Sequence, residues 1–228
     1  MRVGILANSL PAAISICNEV ERIPGLDVYV LLCRNSGESA LKGLVKHIYR
    51  FLFQPFRIRS LKLILSGPVV FLNPKLDSAQ AVTRIKRLNL DLGLHRTDHI
   101  YRQATIDAFG MGILNPHIGI LPRYRGRSVV EWALIEDGPV GITVFFVDTG
   151  IDTGKSIVWS EKVDISHCRT VDAAKRYLFD QEAVVFRRAI ERLKSENFEC
   201  KLNDGSGRRY YVVSKLFKQL ADAKLRSR

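Results

Sequence analysis

The chain opens with a strand–helix–strand pattern, and no other feature constrains its fold as much. Val3 to Ala7 is a short apolar run that breaks at Asn8-Ser9, and Pro11 then leads a helical pattern as far as Glu21. Proline suits the first turn of a helix, where its missing N–H has no partner to lose. Leu26 to Cys33 reads as a second strand. Strands separated by helical stretches require crossover connections and so predict an α/β domain with a largely parallel sheet. The intervening turn Asn8-Ser9-Leu10-Pro11 holds no glycine. The dinucleotide fingerprint and the phosphate-cradling P-loop are therefore absent from it.

Further along, Val69 to Leu72 reads as a strand, Ser78 to Leu88 as a helix and Leu90 to His95 as another strand, followed by a loop to Tyr101. Gly112 to Leu114 reads as a strand ending at Asn115, and Arg127 to Ile135 as a helix after the break at Gly126. Val140 to Val147 and Ser156 to Trp159 are strand-like, and Thr170 is placed to cap a long helix from Val171 to about Lys194. The tail reads as a small hairpin around Asp204-Gly205-Ser206-Gly207 and a short helix from Ser214. This divides the chain into a main domain, 1–195, and a C-terminal hairpin/helix appendage, 196–228.

The charge is uneven. Thirty-five Lys and Arg against 23 Asp and Glu leave a net +12, a surplus that favours polyanionic partners without choosing among them. No acidic residue occurs from Ser39 to Leu76, and within that stretch Leu41, Leu44, Val45, Ile48 and Leu52 recur at helical spacing beside Lys42, Lys46 and Arg50. An ordinary solvated helix face is the first reading of 41–53, and peripheral contact with an anionic membrane surface is the alternative. The longest apolar runs fall short of the ~20 residues that cross a bilayer, and the N-terminus lacks the pattern of a secretory leader. No transmembrane span and a cytoplasmic location are expected. Cys17, Cys33, Cys168 and Cys200 are scattered without a C-x-x-C, so neither a disulfide framework nor a metal site is expected.

The chemistry concentrates between Ile113 and Ile157. Asn115 and His117 stand at the carboxyl end of an expected strand, where ligands collect in open α/β sheets. Asp152 lies in a turn made tight by Gly150 and Gly154. Taken singly, Asn before Pro is a common turn, a lone His is usually structural, and D-x-G-x-D-x-G is a plain turn or a weak calcium loop. Together they offer an amide, an imidazole and a carboxylate, a set suited to acyl transfer.

The joint pattern is N-x-H-x-x-x-L-P-x-Y-R-G from Asn115 to Gly126, then Gly141-Ile142-Thr143-Val144, then D-x-G-x-D-x-G from Asp148 to Gly154. It resembles the folate-dependent formyltransferase family, which includes enzymes acting on methionyl-tRNA, on glycinamide ribonucleotide and on amino sugars. The resemblance implies a formyltransferase-like doubly wound sheet, N10-formyltetrahydrofolate as formyl donor, and Asn115, His117 and Asp152 as the catalytic trio. It also implies a folate pocket bordered by Arg96, Thr97, Asp98, His99 and Ile100, through the backbone of Asp98 and His99 in particular, with Asp148 and Gly150 opposite. This loop departs from the glycine-aromatic pattern common in the family.

For the acceptor, no segment resembling the second, tRNA-contacting domain follows Leu193, and the first turn lacks the glycine-rich phosphate loop of the glycinamide ribonucleotide enzymes. The tail from Gly207 to Leu225, GRRYYVVSKLFKQLADAKL, resembles the closing segment of sugar N-formyltransferases; its plainer reading is a surface helix packing Leu216, Leu220 and Leu225. The expected substrate is a nucleotide-linked amino sugar of the kind used in bacterial surface glycans, contacted by Arg123, Tyr124, Arg125, Gly126 and Trp132. Neither DNA nor tRNA is expected as partner, and the resemblance implies a homodimer. The alternatives are a methionyl-tRNA-type enzyme, a glycinamide ribonucleotide-type enzyme, and an inactive relative that binds membrane or nucleic acid through its basic segments.

Overall fold

Strand β1, Arg2–Ala7, forms because Val3, Ile5, Leu6 and Ala7 are apolar in near-continuous order and all fully buried, the mark of a parallel strand covered on both faces. The computed structural model describes residues 1–33, 69–72, 76–150, 152–154, 156–204 and 206–227. The expected basic helix at 41–53 lies outside them. The chain forms two compact units, Met1–Leu114 and Asn115–Arg228.

In the first unit, β1 is flanked by β2, Asp27–Cys33, and β4, Leu92–Arg96, both parallel to it. Strand β3, Val69–Leu72, pairs in parallel outside β2, and Ile113 and Leu114 of β5, Ile113–His117, pair in parallel outside β4. Helix α1, Leu10–Val20, buries Ala13, Ile14, Ile16, Cys17 and Val20. Helix α2, Ala79–Arg87, buries Ala81, Val82 and Ile85. The Ser78 hydroxyl caps α2 by accepting from the Ala81 N–H at 3.2 Å, and Arg84, Lys86 and Arg87 complement the dipole in its last turn. A one-turn helix α3, Gln103–Ile106, completes this unit.

In the second unit, the two-residue strand β6, Arg125–Gly126, leads to α4, Val129–Ile135. Strand β7, Gly141–Phe146, pairs antiparallel with β8, Ser156–Lys162, with an irregularity at Val144/Phe145. Helix α5, Val171–Leu193, is capped as expected by Thr170, whose hydroxyl accepts from the Ala173 N–H at 3.2 Å. It packs Val171, Ala174, Leu178, Val185, Phe186, Ala189 and Ile190 inward against β7 and β8. Helix α6, Lys215–Arg226, lies against α4 and α5, and its Asp222 carboxylate accepts from the Val171 N–H at 2.7 Å.

The α/β class with a mostly parallel sheet is as the sequence predicts, but the tail is not a hairpin. Strand β9, Lys201–Leu202, pairs with β8, and β10, Arg209–Tyr210, pairs in parallel with β6. The glycine-rich turn between them separates two strands that each find an older partner in the unit. Nor does α6 pack through Leu216 and Leu220, which remain exposed; Ala221 and Leu225 are its buried residues. The expected strand end at 114 is also short, since β5 continues to His117 and carries Asn115 and His117 within it. Among the described residues, no helix is long and apolar enough to cross a membrane.

Candidate active site

Asn115 and His117 are two residues apart on β5, so the pleat turns both side chains to one face. Asp152 arrives from the turn after β7 with a backbone φ of +52°, a left-handed conformation that Asp tolerates better than most residues. That turn is closed by Asp148, whose Oδ1 accepts from the Gly150 N–H at 2.8 Å and the Thr153 hydroxyl at 2.7 Å.

His117 Nδ1 lies 3.5 Å from Asp152 Oδ1, with the two side chains only 8% and 12% exposed. Its Nε2 is 2.8 Å from the backbone carbonyl of Tyr124. A carbonyl oxygen only accepts, so Nε2 carries a proton and donates it. The other carboxylate oxygen, Asp152 Oδ2, accepts from the Gly126 N–H at 3.1 Å. The buried Thr143 hydroxyl meets the loop after β5, donating to the Gly119 carbonyl at 2.8 Å and accepting from the Leu121 N–H at 3.1 Å.

The trio named from the sequence thus shares the second unit, with His117 and Asp152 in contact. Both ring nitrogens of His117 face protein acceptors, Nε2 the Tyr124 carbonyl and Nδ1 the Asp152 carboxylate.

The residues expected at the acceptor divide. Tyr124 is fully buried, so its ring is core and its carbonyl serves His117. Trp132 donates its indole N–H to the Tyr211 carbonyl at 2.9 Å and packs at 5.4 Å from Tyr210 and 5.5 Å from Phe217. It anchors the tail and stays half-buried. Gly126 supports Asp152 through its N–H. Arg123 is exposed, 4.0 Å from Glu136, and Arg125 is half-buried.

In the first unit, Arg96 ends β4 and the loop after it is tightly cross-linked. The Thr97 hydroxyl accepts from the His99 N–H at 3.1 Å, His99 Nε2 meets Asp77 Oδ2 at 2.8 Å, and Asp98 Oδ1 accepts from the Asn8 amide at 2.8 Å. The His99 N–H is thereby engaged within the loop. Ile100 is 60% exposed. Beneath lie His95 and Tyr101, joined at 2.7 Å between Nδ1 and the phenol oxygen. Burial drives the His95 pKa down to about 4, with the neighbouring His99 and Arg96 charges acting in the same direction.

Sequence reasoning missed the supports: the Tyr124 carbonyl, the Gly126 N–H, Thr143 and the tail residues. Two of these are backbone atoms, which carry no residue-type signal.

Residues 94–190, which hold the trio, match the family model described as formyl transferase. Among curated proteins, a methionyl-tRNA formyltransferase of Methylacidiphilum infernorum is 31% identical over 129 residues, covering 55% of this chain and 40% of that protein. The chain therefore spans about two fifths of the length of such a relative. Among solved structures, a glycinamide ribonucleotide transformylase from Symbiobacterium toebii superposes with a TM-score of 0.59 at 22% identity, covering 90% of this chain and 94% of its own. A sugar N-formyltransferase from a Shewanella species gives 0.60 at 15% identity, covering 99% and 87%. The fold is the α/β formyltransferase fold.

Proposed function

We propose that this chain transfers the formyl group of N10-formyltetrahydrofolate to the amine of a nucleotide-linked amino sugar, using Asn115, His117 and Asp152. The observation that carries the reading is the buried His117–Asp152 pair, set beside Asn115 within the segment that matches the formyl transferase model. The acceptor amine attacks the formyl carbon, the new N–C bond forms, and negative charge develops on the formyl oxygen. The Asn115 amide donates to that oxygen and the neighbouring His117 stabilises it electrostatically, the usual device of acyl transfer. Asp152 keeps the imidazole charged and oriented and takes the amine's proton through water. The bond to N10 then breaks, and N10 receives a proton.

Two features support a sugar acceptor. The likeness to the sugar enzyme extends over 99% of this chain, against 90% for the ribonucleotide enzyme, and the tail resembles the closing segment of the sugar enzymes. Arg123 and Arg125 are suited to the phosphates of a nucleotide carrier. Arg96, Thr97, Asp98, His99, Ile100, Asp148 and Gly150 are the residues this reading assigns to folate. In this reading the enzyme is cytoplasmic and homodimeric, and a monomeric mass in solution would remove the dimer. A methionyl-tRNA acceptor is the second reading, favoured by the 31% identity to the curated tRNA enzyme.

The test is tetrahydrofolate release from N10-formyltetrahydrofolate with a panel of nucleotide-linked 3- and 4-amino sugars, with initiator tRNA as the contrasting acceptor. Turnover with one sugar identifies the substrate. Activity on tRNA alone, falling steeply with salt, replaces the sugar reading with the RNA one. Silence on every acceptor removes both.

A further inference from the structure

We propose that the described tail residues 203–204 and 206–210 strap down the geometry of the His117–Asp152 pair, with Asn203 and Tyr210 as positioning residues. The proposal rests on the formyl-transfer reading only for its catalytic consequence; the geometric claim stands apart from it.

The pair is held from two sides. On the histidine side, the backbone of 124–126 supplies both supports: the Tyr124 carbonyl for Nε2 and the Gly126 N–H for Asp152 Oδ2. On the carboxylate side, Asp152 hangs from the turn that ends at Gly154. The tail grips both. The amide of Asn203, itself buried, donates to the Gly154 carbonyl at 3.1 Å. A few residues on, Gly207 crosses Pro122 so closely that a Cβ there would sit 1.4 Å from the Pro122 oxygen. Strand β10 then pairs with β6, and the Arg127 N–H donates to the Tyr210 carbonyl at 3.1 Å. Gly126 has a φ of +104°, and a Cβ on it would lie 2.4 Å from the Tyr210 oxygen, so the two backbones meet without room for a side chain.

Tyr210 is the buckle. Its ring lies 5.6 Å from Tyr124 and 5.4 Å from Trp132, and its hydroxyl donates to both Glu136 carboxylate oxygens at 2.8 and 2.9 Å. Burial, and next the Glu136 carboxylate, push the phenol up to about 12, so the donor keeps its proton at neutral pH. The His117–Asp152 separation of 3.5 Å is long for a charge-assisted hydrogen bond. Small shifts of either wall therefore change it strongly.

The geometric test needs no turnover. In full-length ¹⁵N-labelled protein, the ring-nitrogen signals of His117, assigned by their loss in His117→Ala, report its hydrogen bonds. The near-isosteric Asn203→Leu and the larger Tyr210→Ala are expected to shift both signals while His95 signals stay in place. Tyr210→Phe, which keeps the ring and the backbone pairing, is expected to stay close to wild type. If Tyr210→Ala does not fold, as circular dichroism would reveal, Asn203→Leu decides. Unmoved His117 signals in folded Asn203→Leu protein overturn the strap. Where formyl transfer is measurable, Asn203→Leu is expected to lower kcat by up to about 10²-fold with KM for N10-formyltetrahydrofolate little changed, and a loss confined to KM overturns the strap. A wild-type protein without formyl transfer, but with shifted His117 signals in Asn203→Leu, overturns the functional reading and leaves the strap standing.

Discussion

His95 in the first unit and His117 in the second are both imidazoles near the end of a parallel strand, and they sit among opposite kinds of partner. His95 touches the Tyr101 phenol at 2.7 Å and the Thr97 hydroxyl at 3.4 Å, neutral groups that can donate to it. Burial then wins, and its charged form is disfavoured down to about pH 4. His117 faces a carbonyl and a carboxylate, which only accept. Burial alone does not make a histidine structural or reactive. The donor or acceptor character of what surrounds the ring decides.

The comparison breaks most severely at Asp152. Removing its charge in Asp152→Asn turns the surroundings of His117 toward the neutral kind, and formyl transfer is expected to fall by more than the roughly 10²–10³-fold that one oxyanion donor supplies. Steady-state tetrahydrofolate release measures it, and near-wild-type turnover would remove the assignment of the trio. Asn115→Ala, which leaves the pair intact, is expected to lose about 10²–10³-fold and to keep trace activity in a folded protein.

On the other side of the comparison, His95 makes stability depend on pH. Its folded-state pKa, about 4, lies below the ordinary 6.5. The unfolded chain therefore binds the proton first as pH falls. Its contribution is complete above about pH 6.5, declines between 6.5 and 4, and is gone below 4. Urea melts across that window are expected to show a decline in wild type that is weaker in His95→Gln; identical pH slopes would contradict the assignment. The smallest effect belongs to a pair that is neither buried nor catalytic. Lys218 donates to both oxygens of Asp172 at 2.7 and 2.8 Å on exposed ground, and Lys218→Ala is expected to cost less than about 1 kcal/mol in the same melts.

Sequence periodicity by itself determined the α/β class, the order of β1, α1 and β2, the long helix α5 and its Thr170 cap. These rest on local chemistry: apolar runs of strand length, a 3.6-residue repeat and a hydroxyl placed before it. Asn115, His117 and Asp152 drew notice for a different reason, a joint motif that resembles a known family, and the structure puts His117 and Asp152 in contact. Strand ends were less legible. β5 runs on through Pro116 because strand pairing and burial, not local propensity, decide how far it extends. Only the tertiary structure decided which strands the tail would join, and it turned an expected hairpin into two separate pairings, β9 with β8 and β10 with β6. It likewise moved Tyr124 and Trp132 from the acceptor's side to the core and the tail anchor. The same cause underlies each change: a residue's role here depends on backbone carbonyls and N–H groups brought close from distant parts of the chain, and every residue type except proline carries the same two.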